Sequence, residues 1–322
     1  MTEPGPAIGI DVGGTKTAAL LVDRDGMVLE REVRPTPAED QQATLETMVE
    51  AAREVAAAAS GVVIGVGIAA AGMVDREGIL RYAPNLSWRD APLASHVSSE
   101  LGLFAVADND ANAAAWGEYR HGAGRGSRNL LMVSVGTGIG GGIVLDGRLY
   151  RGANGFAAEI GHVVVDPSGP SCGCGNRGCW EQIASGTAIT RTGQRAAKRH
   201  PHSSLAELAG GDPAAVTGAM VTEAAHEGDT VSRGIFVEVG HRLGVGIAGL
   251  VNVLDPDLVV VGGGVSEAGD LLLAPARDAF RRSVEGLHHR PEVPIVQAAL
   301  GSDSAAIGAA ALVFEQIDGD GR

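Results

Sequence analysis

Apolar positions along the chain change period from two to about four and back, and the changes fall at glycines. Residues 8–22 read as an apolar strand, a turn at Gly13-Gly14-Thr15 and a returning strand, closed near Asp25-Gly26, a dipeptide suited to a hairpin turn. Residues 130–145 repeat the pattern around Gly136-Thr137-Gly138 and end at Asp146-Gly147. Laying Val12 on Val135 also lays Gly13 on Gly136 and Asp23 on Asp146, so one supersecondary unit recurs in register. The expectation is two related lobes, each opening with a Gly-turn hairpin.

Between and after these hairpins, helical and strand patterns alternate. Thr36-Pro37-Ala38-Glu39 has the form of a capping box with proline at the first helical position, and Leu45, Met48, Val49, Ala52, Val55 and Ala56 keep helical spacing. Gly61 ends that helix before a strand over residues 62–69. A strand over residues 103–107 leads into a helix over residues 111–119. Residues 200–213 are polar and contain glycine, an exposed connection between helices. Residues 231–254 form a long glycine-studded helix, broken by Asp255-Pro256-Asp257. A strand over residues 258–261 then runs into Gly262-Gly263-Gly264, and an amphipathic stretch over residues 304–317 is expected to pack back on the first lobe.

Composition narrows the class. A chain of 322 residues exceeds one typical core, and 45% apolar with 20% charged residues fits a globular protein. Aromatics make up only 3%, so Ala, Val, Leu and Ile must do the packing. The 48 glycines follow apolar runs without any collagen period, the composition of an α/β nucleotide-binding fold. A formal charge of −14, with Lys16 and Lys198 as the only lysines, opposes attraction to a phosphate backbone and argues against nucleic acid as a partner. Residues 1–6 lack the basic flank and apolar core of a signal peptide. The apolar segment 243–254 falls short of the roughly 20 residues needed to span a bilayer, so the reading is soluble and cytoplasmic, with no membrane partner.

The strongest chemical signal is Cys172, Cys174 and Cys179, interleaved with Gly173, Gly175 and Gly178. An odd number of cysteines at this spacing argues against disulfides, and tetrahedral zinc commonly takes thiolates plus an imidazole. His162, ten residues upstream in Glu159-Ile160-Gly161-His162, completes a Cys3His set. Three inert core cysteines are the alternative, but a polar, glycine-rich loop makes a poor core. A second signal is Asp11-Val12-Gly13-Gly14-Thr15-Lys16, where glycines let successive N–H groups face a phosphate and Asp11 can reach magnesium through water. By itself it is also an ordinary tight turn; the similar turns at Gly136-Thr137-Gly138 and Gly262-Gly263-Gly264 favour nucleotide. The third is Asp108-Asn109-Asp110 between strand and helix, where a carboxylate can accept the proton of an attacking alcohol, or either acid can simply cap the helix.

These motifs, together with Asn109-Asp110-Ala111-Asn112, the glycine run 136–142, Glu159-Ile160-Gly161-His162 and the segment 172–181, resemble the ROK family of sugar kinases and repressors. The likeness runs from Ile8 to the C-terminus; Glu181-Gln182-Ile183-Ala184-Ser185-Gly186 is similar to the actinobacterial ATP-dependent glucokinases. The resemblance implies a two-lobed α/β fold of the actin/hexokinase-like, duplicated ribonuclease H-like type with a cleft between the lobes. On that basis residues 1–107 plus 304–322 are expected to form the small lobe, and residues 108–303 the large one with the zinc loop 162–181.

The resemblance also assigns roles. It implies that Asp110 is the catalytic base, that Gly72, Asn85, Asn109, Asp110, Glu159, His162 and Glu181 meet the sugar, and that His162 serves zinc and sugar with one ring nitrogen each. It implies that Asp11, Gly13, Gly14, Thr15, Lys16, Gly136, Thr137, Gly138, Gly263 and Gly264 bind MgATP, and that His162, Cys172, Cys174 and Cys179 hold a structural zinc. The activity implied is transfer from ATP to the 6-hydroxyl of glucose, with the protein a homodimer or homotetramer. N-acetylmannosamine or N-acetylglucosamine is the alternative acceptor, and a sugar-sensing repressor is disfavoured because only seven residues precede Ile8. Two departures from the family's pattern stand out. Pro84-Asn85-Leu86-Ser87-Trp88 is one residue shorter than in many relatives, and Ala158 stands where relatives often carry glycine.

Overall fold

The computed structural model describes residues 5–83 and 88–319. In chain order it has β1 (Ala7–Val12), β2 (Lys16–Val22), β3 (Val28–Pro35), α1 (Gln41–Ala57), β4 (Val66–Ala70), β5 (Met73–Val74), β6 (Leu80–Tyr82), β7 (Arg89–Ala91), α2 (Leu93–Leu101), β8 (Ala105–Asn109) and α3 (Asp110–His121). Then follow β9 (Leu130–Val135), β10 (Ile139–Leu145), β11 (Arg148–Leu149), α4 (Glu181–Ala184), α5 (Gly186–Arg199), α6 (Ser204–Leu208), α7 (Gly218–Glu227), α8 (Thr230–Leu254), β12 (Leu258–Gly262), α9 (Asp270–Ser283), β13 (Ile295–Gln297) and α10 (Ser304–Asp318).

Two five-stranded sheets carry the fold, with orders β3-β2-β1-β4-β8 and β11-β10-β9-β12-β13. The recurrence read from the sequence is visible in them: each holds a hairpin with a glycine turn at Gly13-Gly14 or Gly136–Gly138, and parallel strands continue on its far side. Both closing turns form as expected. Gly26 (φ +83°) follows Asp23, whose Oδ1 accepts the N–H groups of Asp25 and Met27, and Asp146-Gly147 takes the paired left-handed conformation (φ +52° and +77°) that a two-residue hairpin requires.

The chain groups into two compact units, Met1–Met132 with Gly141–Ala158 and Ala299–Arg322, and Val133–Gly140 with Glu159–Ala298. Of residues 108–303, expected in the second lobe, residues 108–132, 141–158 and 299–303 group with the first unit. The cause is close helix packing. A Cβ on Gly308 of α10 would lie 1.7 Å from the carbonyl oxygen of Ala113, and one on Gly117 of α3 2.5 Å from that of Ser304, so α3 and α10 cross backbone to backbone. The closing helix does pack on the first sheet: a Cβ on Gly9 or Gly67 would fall 1.8 Å from the carbonyl oxygen of Ala306 or Ala309.

Some boundaries moved. α1 starts at Gln41 with Asp40 as its N-cap, its carboxylate accepting from Ala43 N at 3.1 Å. Thr36 cannot cap it because its hydroxyl is 2.9 Å from that of Thr17 and its N–H donates to Thr15, extending the sheet edge past Pro35. The strand expected over residues 62–69 is β4, Val66–Ala70, and the polar segment 200–213 holds the short helix α6. Among the described residues α8 is the helix long and apolar enough to cross a bilayer, yet Phe236, Leu243, Ile247 and Val251 are buried in the protein. Its Gly244 lies against α9, where a Cβ would meet the Ala276 carbonyl at 2.0 Å.

Candidate active site

In the first unit, the parallel strands β1, β4 and β8 end in step. Asp11 pairs in register with Ala69 and Ala69 with Asp108, while Val12, Ala70 and Asn109 form the next row. Carboxyl ends of parallel strands are where α/β sheets hold ligands. The β1–β2 turn lies at the same end, closed by Gly13 N donating to the Lys16 carbonyl at 3.0 Å, with Thr15 and Lys16 exposed.

The run Asp108-Asn109-Asp110 separates into three jobs. Asn109 is the N-cap of α3; its Oδ1 accepts from Ala111 N (2.9 Å) and Asn112 N (3.0 Å), and its Nδ2 donates to the Gly72 carbonyl at 3.0 Å. Gly72 has φ +147°, and a Cβ there would meet the Tyr82 carbonyl at 2.4 Å. Asp108 is buried and bound to Arg151, its Oδ2 accepting from Nε at 2.5 Å. Asp110 has no ion pair with lysine or arginine among the described residues, and its Oδ1 accepts the following Ala111 N–H at 2.9 Å. Burial pushes its carboxyl above the usual carboxylate range, against the lowering effect of that backbone bond and of the Asn109 side chain. The N-cap position is thus filled by Asn109, and Asp110 adds one bond to the first turn of α3.

Asp11 is pushed up to about 7, first by burial and then by the like charge of Asp110; Lys16 works the other way and Asp303 adds to the rise. Asp303 is paired with Arg31 at the start of α10. A carboxylate at the end of β1 is an oxygen ligand of the kind magnesium takes.

In the second unit the Gly136–Gly138 turn closes with Gly136 N donating to the Gly138 carbonyl at 3.0 Å. The start of α5 is sewn to it: Gly186 N donates to Gly136 O (2.8 Å) and Thr187 Oγ1 to Thr137 O (2.7 Å). Gly263 (φ +80°) crosses so close to β9 that a Cβ would lie 2.5 Å from the Val135 carbonyl. A cavity of about 910 Å³ opens here, lined by Gly136, Thr137, Thr187, Glu223, Gly264 and Glu267 among others. The two glycine turns expected to meet one nucleotide in this lobe do share a wall; Thr187 and Glu223 were not foreseen.

The cysteine loop forms as the spacing demanded. The ligand atoms of His162, Cys172, Cys174 and Cys179 all lie within 4.8 Å of one another. Cys172 Sγ is 3.6 Å from His162 Nδ1, and Cys174 Sγ 3.6 Å from Cys179 Sγ. Zn–S bonds of about 2.3 Å and Zn–N bonds of about 2.0 Å set tetrahedral ligand atoms roughly 3.5–3.8 Å apart, so the residues fit the ion. Burial pushes the Cys172 thiol up to about 12 and raises Cys179; in Cys174 the same burial is outweighed by the Asn176 N–H and the neighbouring cysteines, which lower it. Such crowded sulfurs find a common solution in a shared cation.

His162 ends a short 3₁₀ turn, Ile160–His162, whose Gly161 lies on β10; a Cβ there would be 2.0 Å from the Ile139 carbonyl. With Nδ1 turned to the cysteines, Nε2 faces Glu159 Oε2 at 3.9 Å. Glu181 Oε1 is 3.1 Å from Cys172 Sγ and 3.8 Å from His162 Nδ1, and its Oε2 lies beside Gly138. Glu159, His162 and Glu181 therefore stand together in this unit, and Gly72, Asn109 and Asp110 together in the other. Asn85 lies outside the described residues.

The model of the ROK family matches residues 7–316. The glucokinase of Streptomyces coelicolor is 42% identical over 319 residues, covering 97% of this chain and 98% of that protein. The glucokinase of Thermotoga maritima is 37% identical over 319 residues, with 97% and 98% covered. The crystal structure of a ROK family glucokinase from Streptomyces griseus in complex with glucose and AMPPNP is 42% identical, covers 96% of this chain and 99% of that one, and superposes with a TM-score of 0.87.

Proposed function

The chain belongs to the ROK family, and from that premise we propose that it is a glucokinase, transferring the γ-phosphoryl group of ATP to the 6-hydroxyl of glucose. One observation carries the chemistry: of the three polar residues where β8 becomes α3, Asp110 is the carboxylate with no cation of its own. A base must be held at a fixed place, close to its substrate and unneutralised.

Asp110 takes the proton of the sugar hydroxyl as that oxygen bonds to the γ-phosphorus and the bond to the ADP oxygen breaks on the opposite side. Its raised affinity for protons, produced by burial, suits that task. Asn109, Glu159, Glu181 and His162 Nε2 orient the ring by hydrogen bonds to its hydroxyls, with Gly72 and Asn85 beside them. Backbone N–H groups of Gly14, Thr15, Thr137 and Gly138 face the phosphates together with Lys16; Gly13 and Gly136 close the two turns that carry them, and Gly263 and Gly264 lie under the nucleoside. Asp11 would hold magnesium, whose charge offsets that of the β- and γ-phosphates. His162, Cys172, Cys174 and Cys179 would hold a zinc with no open position, which fixes the loop bearing Glu181 and orients the free His162 N–H. The reading also places the protein in the cytoplasm as a homodimer or homotetramer, without nucleic-acid or membrane partners; a reducing compartment keeps its thiols available to zinc.

Steady-state kinetics with MgATP across glucose, mannose, fructose, N-acetylmannosamine and N-acetylglucosamine test the proposal. Glucose is expected to give the highest kcat/KM. A higher value for an N-acetyl hexosamine would reassign the substrate, and no phosphorylated product from any hexose would overturn the reading.

A further inference from the structure

We infer that Arg151 and Asp108 form a positioning pair for Asp110, an inference that rests on the reading of Asp110 as the base. Asp108 is 4% exposed at the joint between β8 and α3, a costly place for an unpartnered carboxylate. Three donors satisfy it: Arg151 Nε at 2.5 Å on Oδ2, Asn109 N at 2.8 Å on Oδ1, and Asn112 Nδ2 at 2.9 Å on Oδ1. The last two act on the residues that frame Asp110. One fixes the peptide between Asp108 and Asn109, and the other ties the first turn of α3 back to the strand end. Asn109 clamps the same backbone from the opposite direction through Ala111 and Asn112, so Asp110 sits on a segment held both ways.

Arg151 is what anchors Asp108. Removing it takes away the one donor on Oδ2 and, among the described residues, the only cation beside this buried carboxyl, so the group is free to turn and its hold on Asn109 N–H and Asn112 loosens. Displacement of a reacting group by about 1 Å can cost roughly a hundredfold in rate. Arg151 itself is placed by local chemistry: its carbonyl accepts from Ala157 N at 3.1 Å, and Arg76 donates to the adjacent Gly152 carbonyl. Its side chain borders a cavity of about 590 Å³ within the first unit, next to Arg148 and Tyr150, so small cations can reach its place from solvent.

The test compares Arg151→Ala, the double variant Arg151→Ala/Asp108→Asn, which leaves no lone buried charge, and Asp110→Asn. We expect kcat of Arg151→Ala to fall about 10- to 100-fold with KM for ATP and glucose within about threefold, the pattern of a misplaced base. Guanidinium ion at about 20 mM should restore part of that turnover in Arg151→Ala, whereas sodium chloride at equal ionic strength should not. The double variant should fold and stay at least about tenfold slow in kcat, because the charge-assisted grip is gone. Arg151→Ala or the double variant with kcat within twofold of wild type, while Asp110→Asn is inactive, would overturn the inference and leave the base assignment standing. Loss of activity that follows loss of folded protein in both variants, with no guanidinium rescue, would also overturn it. Near-normal turnover of Asp110→Asn would instead remove the base reading itself.

Discussion

Gly246 of α8 lies against the indole of Trp180: a Cβ on Gly246 would fall 2.1 Å from Cε2 of that ring. Trp180 is buried and donates its Nε1–H to the Arg242 carbonyl at 3.1 Å, one turn earlier on the same helix. The residue after Cys179 is thus a plug that fastens the cysteine loop to the longest helix of its unit, and the groove exists because position 246 has no side chain. Gly246→Ala should push the ring out and destabilise the protein by about 1–3 kcal/mol despite alanine's better helix propensity. Thermal unfolding checks this, and zinc content measured on the same preparation should fall with it.

The sulfur cluster predicts a separable effect of metal. Cys172→Ser removes one ligand of four, and chelation removes the ion; in both cases Glu181, 3.1 Å from Cys172 Sγ, loses its support. We expect KM for glucose to rise at least about tenfold while KM for ATP changes little, and zinc analysis of untreated protein to give one ion per chain. A protein that contains no zinc as purified would remove the ion from the account.

Legibility in the sequence followed the range of the forces involved. The glycine turns, the hairpin closures at Asp25-Gly26 and Asp146-Gly147 and the convergence of His162 with three cysteines depend on a few neighbouring residues, and each formed where expected. The cap of α1 is not Thr36, because Thr36 has a rival partner, Thr17, in the adjoining strand. Grouping α3 with the first unit depended on Gly117 and Gly308, residues far apart in sequence whose meeting leaves no periodic trace. Glu118 was invisible for the same reason: it looks like one more charge on an Ala-rich helix, yet it is fully buried and accepts the N–H groups of Ala123, Ala299 and Leu300.

Ala158, noted in the sequence only as a departure from glycine, has φ +68°, a left-handed conformation that costs a residue with a Cβ about 1 kcal/mol or more. It directly precedes Glu159. Ala158→Gly relieves that strain but loosens the unfolded chain, so a net gain of roughly 0.5–1 kcal/mol is expected, visible as a small rise in Tm. Ala158→Val, branched at Cβ, should lose stability at the same site.

Asp110→Asn retains the volume of the side chain and an oxygen for Ala111 N–H, so α3 should start as before. What is lost is the ability to accept a proton. Turnover is expected to drop by at least about a thousandfold while glucose affinity, measured by equilibrium titration, stays within a few-fold of wild type.

Asp11 carries the clearest pH dependence. Its carboxyl is pushed up to about 7 from an ordinary value of 3.8, by burial first and Asp110 second. The folded state therefore binds a proton more tightly than the unfolded chain does, and the stability from this group is fully present below pH 3.8 and is lost as pH rises through about 7. That is the reverse of a carboxylate held by an arginine. At pH 8 the ligand-free protein bears an ionised, crowded Asp11 at a cost of up to roughly 4 kcal/mol. Asp11→Asn should then raise Tm by several degrees at pH 8, with the gain shrinking towards pH 5, and should at the same time cut kcat/KM for MgATP by at least about a hundredfold. Magnesium nucleotide should reproduce the stabilisation in the unmutated protein and not in the variant. A variant that is less stable at pH 8 would show that the carboxylate is already neutralised by a partner in the folded chain, and that a divalent cation is not what Asp11 waits for.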